Sequence, residues 1–257
     1  MSNPYFDFKQ FRICHDRCAM KVGTDAVLLG AWARVEGCRR LLDVGCGSGV
    51  IALMVAQRVP DAEVYGVDID TSAVEQAQQN AEASPFAGRA HFELYDVKNY
   101  RADDAFDAIL CNPPFYTEDT LPPDAQRATA RNNHSLPFDE LIASVCRLLR
   151  WGGCFHVVLP SCAEPSFTDA CLHHSLYLKR LCRVRTTIKK APKRVLCTYM
   201  LRGVQVEESS SCEASSLACP SALTNAEYSI DFEELVLMEN GERSNAYIRL
   251  TSDFYLR

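Results

Sequence analysis

Residues 41–49 of the chain read LLDVGCGSG, and this stretch decides the fold. The apolar residues predict a buried strand at 40–44 that runs into a glycine-rich turn, and the apolar run Val50 to Val59 predicts a helix after it. Glycines let a backbone approach a ligand closely, and a helix N-terminus presents free N–H groups. A nicotinamide-binding turn has a third glycine at the position that Val50 occupies, so the GxGxG spacing weakens a dinucleotide hypothesis. The stretch therefore predicts a cofactor site of another kind.

Acidic residues follow the next two predicted strands. Residues 63–67 predict a strand, and Asp68 after it lies about 20 residues past the glycine turn, where a carboxylate can bind both hydroxyls of a ribose. Residues 90–95 predict a third strand, which leads into Asp96 and Val97. Other roles remain open at this point: Asp43 as a strand-end acid, Asp68 as the cap of a helix near Thr71, and Asp96 as a turn residue.

A proline-rich motif follows the apolar run Phe106 to Cys111, namely Asn112-Pro113-Pro114-Phe115. An exocyclic or amide nitrogen is a poor nucleophile because its lone pair is delocalised. In this motif the Asn112 side-chain oxygen and the Pro113 carbonyl would accept the two N–H protons, while the Phe115 ring stacks on the planar group. The alternative is a sharp turn that closes a strand.

The order and spacing of these motifs resemble those of class I S-adenosylmethionine-dependent methyltransferases. The resemblance implies that Asp43 and the backbone of Gly45 and Gly47 lie near the methionine end of the cofactor. It implies that Asp68 binds the ribose hydroxyls and that Asp96 accepts from the adenine amino group. The full set of cofactor-binding residues expected on this basis is Lys21, Thr24, Asp43, Gly45, Gly47, Asp68, Ile69, Asp96, Val97 and Asn112, and the expected catalytic residues are Asn112, Pro113, Pro114 and Phe115.

The flanking segments resemble one group within that class, the bacterial tRNA1(Val) (adenine(37)-N6)-methyltransferases. Residues 6–13 (FDFKQFRI), 20–32 (MKVGTDAVLLGAW) and 250–256 (LTSDFYL) support this resemblance. It implies that the second segment helps to enclose the cofactor, with Lys21, Thr24 and Asp25 as candidate contacts. The alternative for this segment is an amphipathic helix capped by Thr24.

Alternating strand and helix patterns predict an α/β fold with helices on both faces of a mostly parallel sheet. Further strands are expected at 106–111 and 154–159, and an antiparallel hairpin from 180–188 and 195–204 completes a seven-stranded, Rossmann-like class I methyltransferase sheet. Helices are expected at 50–59, 72–83 and 138–149, the last stopped by Gly152 and Gly153. We expect a single domain over 1–257, with residues 1–37 covering the cofactor and a flexible insertion at 206–227.

Composition limits the function classes. The sequence contains no run of 18 or more apolar residues and no apolar N-terminal signal segment, so we expect a cytoplasmic protein that does not associate with membranes. The 13 cysteines are an odd number and no two have CxxC spacing, which argues against a disulfide framework and a metal site. No obligate protein partner is evident.

The net charge of −6 does not suggest a nucleic-acid-binding protein, but the charge is unevenly distributed. Eight basic residues and no acid lie between Lys179 and Arg194. Such a face can contact tRNA phosphates, although it can also be a solvated sheet edge protected by cations. The expected RNA-binding residues are Arg127, Arg131, Arg183, Arg185, Lys189, Lys190, Lys193 and Arg194.

The predicted reaction is direct methyl transfer to adenine N6 of a tRNA, without a covalent enzyme intermediate. Only the family resemblance points to adenine 37 of a valine tRNA. Two alternatives remain: a protein-glutamine N5-methyltransferase, which uses the same type of motif on an amide, and a cofactor-binding protein that binds RNA without methylating it.

Overall fold

The computed structural model describes residues 3–113, 136–202 and 229–256 of the 257-residue chain. The strands are β1 Tyr5–Asp7, β2 Arg12–Cys14, β3 Arg40–Val44, β4 Glu63–Asp68, β5 Ala90–Leu94, β6 Phe106–Cys111, β7 Leu149–Pro160, β8 Leu176–Arg185, β9 Arg194–Leu201, β10 Asp231–Val236, β11 Met238–Glu239 and β12 Glu242–Arg243. The helices are α1 Thr24–Trp32, α2 Val50–Arg58, α3 Thr71–Glu82, α4 Phe138–Leu148, α5 Glu164–His173 and α6 Asn245–Thr251.

An eight-stranded sheet forms the middle layer, in the order β10-β8-β9-β7-β6-β3-β4-β5. Its strands pair in parallel except at β9, which is antiparallel to both β7 and β8. The predicted α/β architecture, a mostly parallel sheet with an antiparallel hairpin, is thus confirmed. The eighth strand is an addition to the seven that were expected, because β10 pairs in parallel with β8 at one edge.

The start of β7 differs from the prediction. The helix α4 ends at Leu148, and β7 begins at once at Leu149 rather than at residue 154. Gly152 and Gly153 therefore lie inside the strand, where its register against β6 shifts, instead of ending the helix. Gly152 has a φ of +73°, a value that suits an irregular strand as well as a helix stop.

Two apolar cores lie on opposite faces of the sheet. One contains Leu29 from α1, Leu53 from α2 and Ala77 from α3, and the other contains Leu141 from α4 and Phe167 from α5. The first core is packed closely: a Cβ atom at Gly30 of α1 would lie 2.9 Å from the Met54 sulfur of α2. Since Gly30 has no side chain, α1 can lie directly on α2.

The two ends of the described chain pack together. Phe8 pairs with Tyr255 in an isolated antiparallel bridge, and the Phe8 ring stacks on the Phe11 ring at a centroid distance of 4.6 Å. The helix α1 is buried over most of its length rather than amphipathic, and its N-cap is Gly23, with Thr24 as its first residue. None of the helices in the described residues is both long and apolar enough to cross a bilayer.

Candidate active site

A glycine turn, residues 45–49, joins β3 to α2 at the carboxyl edge of the parallel strands. Gly45, Gly47 and Gly49 have φ values of +70°, +52° and +80°, a region that residues with a side chain rarely adopt. A Cβ atom at Gly49 would lie 2.9 Å from the Phe92 ring. At Gly45 and Gly47, by contrast, no atom of the described residues beyond the chain neighbours lies within 4 Å of the Cβ position. The first two glycines therefore border open space.

Asp43 lies directly beneath this turn and is fully buried. Its Oδ2 accepts a hydrogen bond from Ala52 N at 3.1 Å, whereas Oδ1 has no hydrogen-bond partner among the described residues. Burial raises the pKa of Asp43 to about 7; the Ala52 hydrogen bond lowers the pKa only in part, and the charge of Asp68 raises it further. A buried carboxylate with one unsatisfied oxygen would be stabilised by a cationic or N–H-bearing ligand.

Asp68 ends β4 and connects it to the glycine turn. Its Oδ2 accepts from Gly47 N at 2.9 Å, and its Oδ1 accepts from Asp70 N at 3.0 Å. Each oxygen keeps a further lone pair, so the half-buried carboxylate can still accept from two ligand hydroxyls. The alternative role as a helix cap is wrong, because Asp70 caps α3 by accepting from Ser72 N at 2.8 Å. Ile69 beside it is 50% exposed.

Asp96 and Val97 follow β5 at the same edge. Asp96 Oδ1 accepts from Lys98 N at 3.0 Å, and its main-chain oxygen accepts from Asn99 N, so the residue does shape a turn. Val97 is buried against Tyr100 in the core. A turn role does not exclude a ligand role, since Asp96 is only half-buried and an acceptor site on its carboxylate remains.

Asn112 and Pro113 follow β6, whose last residue, Cys111, is paired with Val44. The motif therefore begins on the strand next to the glycine turn, with Asn112 half-buried and Pro113 buried. Pro114 and Phe115, the other two residues of the motif, lie outside the described residues, as do Arg127 and Arg131 and the 206–227 segment.

The loop before α1 lies against α3 and the glycine turn. Asn80 of α3 is buried, and its side-chain nitrogen donates to both Cys14 O and Ser48 O at 2.9 Å. Residues 20–32 contain three candidate cofactor contacts, of which Lys21 and Thr24 are exposed. Asp25 forms an ion pair with Arg194 Nε at 2.8 Å, which connects α1 to the start of β9.

Comparison with known proteins supplies the family. The family model described as the methyltransferase small domain matches residues 20–162. A tRNA1(Val) (adenine(37)-N6)-methyltransferase of Phocaeicola vulgatus is 47% identical over 199 residues, which cover 77% of this chain and 85% of that protein. The enzyme of the same name from Bacteroides fragilis is 40% identical over 263 residues and covers 100% of both chains. The chain belongs to the tRNA1(Val) (adenine(37)-N6)-methyltransferase family.

Solved structures agree with this family at the level of the fold. The structure of an Agrobacterium tumefaciens protein described as a predicted O-methyltransferase superposes with a TM-score of 0.62, covering 90% of this chain and 96% of that one. The two sequences are only 19% identical, so this similarity shows the methyltransferase fold and nothing finer.

The residues at the carboxyl edge fit the cofactor that the methyltransferase family implies, S-adenosylmethionine. That molecule combines cationic groups, a pair of ribose hydroxyls and an adenine amino group. Asp43 offers a buried, unsatisfied carboxylate oxygen, Gly45 and Gly47 offer an open backbone, and Asp68 offers two acceptors. The donor and acceptor set therefore matches the chemistry of the ligand.

Sequence reasoning missed two residues that shape the site of this methyltransferase. Gln76 and Asn80 are both buried on α3, where Gln76 bonds to Arg17 N and to Asp16, and Asn80 bonds to the glycine turn. Two amides spaced four residues apart lie on one face of a helix, and this spacing was the available signal. Together they hold residues 14–17 beside the glycine turn.

Proposed function

We propose that this chain uses S-adenosylmethionine to methylate N6 of an adenine in tRNA, and that the target is adenine 37 of tRNA1(Val). The observation that supports this most is the adjacency of two features: the Asn112-Pro113 motif follows β6, and the glycine turn follows the neighbouring strand β3. The names of the family members indicate the substrate. A tRNA substrate implies that the activity belongs in the cytoplasm.

The cofactor would be held by residues that follow β3, β4 and β5. We assign Asp43 and the backbone of Gly45 and Gly47 to its methionine end, Asp68 and Ile69 to its ribose, and Asp96 and Val97 to its adenine. Lys21 and Thr24 would cover it, and Asn112 would contact both cofactor and substrate. When bound, the cofactor supplies an electrophilic methyl group.

The chain's own contribution to the chemistry is to orient the amine and to localise its lone pair. The Asn112 side-chain oxygen and the Pro113 carbonyl would accept the two N–H protons of adenine N6, and Phe115 would stack on the base. These contacts favour a tetrahedral nitrogen and are therefore stronger in the transition state than with the planar ground state. No general base is required, because the methylated nitrogen becomes acidic and can lose its proton to a carbonyl oxygen or water.

The chemistry of the nearest thiols supports a direct transfer. Cys46 and Cys111 are both buried beside the site. Burial raises the pKa of both thiols far above the ordinary value, and the charges of Asp43 and Asp68 raise it further. Because the thiolate is the nucleophilic form, neither cysteine is suited to carry a covalent intermediate at neutral pH.

The proposal is tested by following a radiolabelled methyl group from S-adenosylmethionine into unfractionated bacterial tRNA and, in parallel, into release-factor and ribosomal proteins. The expected result is label in tRNA that nucleoside analysis identifies as N6-methyladenosine. Label in protein would replace the proposal with glutamine methylation. Cofactor binding without any transfer would instead indicate a non-catalytic RNA-binding protein.

A further inference from the structure

We propose that residues 186–193, which connect β8 to β9 and are called the basic turn below, bind phosphates of the tRNA next to the target nucleotide. We further propose that Arg185 and Arg194, the two arginines at its base, hold this turn in place instead of contacting RNA. The proposal rests on the proposed function, because it identifies the surface that presents the tRNA to the same site.

The basic turn lies at the carboxyl ends of the parallel strands, as the candidate active site does. Since β9 is antiparallel to β7, its first residue, Arg194, is paired with Pro160, the last residue of β7. The strand order β8-β9-β7-β6 separates β8 from β6 by three strand spacings, roughly 14 Å measured across the sheet. At about 3.4 Å per stacked nucleotide, this distance corresponds to roughly four nucleotides of one strand.

The basic residues of this region are not explained as protection of an exposed outer strand of the sheet. The strands β8 and β9 are interior strands, because β10 covers the outer side of β8. The strand at that edge is acidic, with Asp231, Glu233 and Glu234 among its six residues. The lysines therefore need another explanation.

The structure divides the basic residues of this region into two groups. Arg180 pairs with Glu233, Arg185 with Glu234, and Arg194 with Asp25. In contrast, no carboxylate of the described residues forms an ion pair with the exposed side chains of Arg183, Lys189, Lys190 and Lys193. The second group keeps its full charge available for a polyanion.

Hydrogen bonds hold the basic turn in one conformation. The Arg185 guanidinium donates to Lys190 O at 2.8 Å, and Lys190 N donates to Thr187 O at 3.0 Å. Met238 N, beyond the end of β10, donates to Thr186 O at 2.9 Å. A turn that is already ordered loses little conformational entropy when it binds.

The apex of the turn also carries Ile188, which is 63% exposed between the cations. A nucleic acid alternates phosphates with apolar sugar and base faces, so it can contact both kinds of side chain. On the β10 side the basic turn borders the β11–β12 hairpin, where Glu239 and Glu242 are exposed. The negative charges of these two residues would repel RNA phosphates, so the RNA would lie on the side of the basic turn that faces β6.

The test measures the affinity for an unmodified transcript of valine tRNA at several salt concentrations. In the variant Lys189→Ala/Lys190→Ala we expect the dissociation constant to rise about 10-fold, and the slope of log affinity against log salt to fall by about 1.5. The dissociation constant for S-adenosylmethionine should stay unchanged, which also reports that the variant is folded.

The matched control is Arg39→Ala/Arg249→Ala, which removes the same two charges from exposed positions outside the basic turn. We expect its tRNA affinity to remain within about 2-fold of wild type and its salt slope to be unchanged. A lysine variant that binds as wild type does, or a control that weakens equally, would overturn the proposal.

Binding and turnover are measured separately, so the two proposals can fail independently. If the wild-type chain binds the transcript but transfers no methyl group to it, the proposed function fails and the binding test still stands. If methylation proceeds and the lysine variant keeps wild-type affinity and salt slope, the proposed function stands and the basic turn is excluded.

Discussion

Two aspartates on neighbouring strands, the buried Asp43 and the half-buried Asp107, lie toward opposite ends of the parallel strands and have opposite environments. At the amino edge, Asp107 Oδ2 accepts from Arg39 N at 2.6 Å and Arg40 N at 2.9 Å, and Oδ1 pairs with Arg150 Nε at 2.5 Å. At the carboxyl edge, Asp43 receives one hydrogen bond, and its Oδ1 is unsatisfied within the described part of the chain.

Their pKa values shift in opposite directions. Burial alone would raise the pKa of Asp107, but the hydrogen bonds from Arg39 and Arg40 and the charge of Arg150 together lower it. Burial raises the pKa of Asp43 to about 7, and one hydrogen bond does not compensate. The Asp107 carboxylate is thus satisfied within the chain, whereas Asp43 keeps an unsatisfied oxygen, and we expect that oxygen to bind a ligand.

The largest effect is expected for Asn112→Ala at the carboxyl edge. Loss of a preorganised acceptor should lower turnover on tRNA about 100-fold or more, with cofactor affinity nearly unchanged. Single-turnover kinetics at saturating tRNA measure this effect. The control variant Asp107→Asn, at the amino ends of the strands, should keep turnover within about 2-fold of wild type. Equal losses of turnover in both variants would contradict the assignment of the reaction to the carboxyl ends of the strands.

The next effect is on cofactor binding. Asp68→Ala should weaken it by about 1.5–3 kcal/mol, or roughly 10- to 150-fold, because charge-assisted hydrogen bonds to the ribose are lost. Calorimetric titration with the cofactor checks this. Since Asp68 also accepts from Gly47 N, the variant Asp68→Asn provides a conservative control that should lose less affinity. Unchanged cofactor affinity in both variants would show that Asp68 does not bind the cofactor.

Asp43→Asn should change the pH dependence of stability. The folded-state pKa of Asp43 lies above its unfolded-state value, so the folded chain binds more protons between about pH 4 and pH 7. Stability therefore falls as the pH rises through this window, and by linkage the Asp43 contribution changes by about 2.5 kcal/mol between pH 5 and pH 8. The variant should lack this loss when both chains are unfolded with urea in the absence of cofactor. An identical pH dependence in the two chains would contradict the raised pKa.

The smallest effect, and the opposite sign, is expected for Asp107→Asn. Its folded-state pKa is lowered, so the stabilisation is present above the unfolded-state pKa and is lost as the pH falls through the folded-state pKa. At pH 7 the variant should lose about 1 kcal/mol of stability, with unchanged cofactor affinity. A variant at least as stable as wild type at pH 7 would show that Asp107 contributes nothing to stability.

The sequence predicted the central strands well because each is a short, mostly apolar run that ends at a recognisable turn motif. The expected strands 40–44 and 106–111 match β3 and β6 residue for residue, and the motifs after them lie at one edge as parallel pairing requires. The strand β10 was missed because DFEELV mixes acids with apolar residues and buries only Leu235. The early start of β7 was missed because Gly152 and Gly153 resemble a helix stop.

The candidate site was harder to predict wherever it depends on residues distant in sequence. The basic run showed eight cations and no acid, but the acids that pair with Arg185 and Arg194 are Glu234 and Asp25, from other parts of the chain. The spacing of Gln76 and Asn80 places both amides on one face of α3, but the partner of Asn80 is known only once α3 packs against the glycine turn. A local sequence pattern shows which chemical groups are present. Only the folded structure shows which basic residues already form ion pairs with acidic residues from other parts of the chain.

The proposed function requires Asn112, which follows β6, to act in the methylation of one adenine of a valine tRNA. The most direct test incubates an unmodified valine tRNA transcript with cofactor and either wild type, Asn112→Ala or Asp107→Asn, and then maps the product by nuclease digestion and mass spectrometry. We expect a single N6-methyladenosine at position 37, formed at similar rates by wild type and Asp107→Asn and about 100-fold more slowly by Asn112→Ala. Methylation at another nucleotide, or an Asn112→Ala rate equal to wild type, would contradict it.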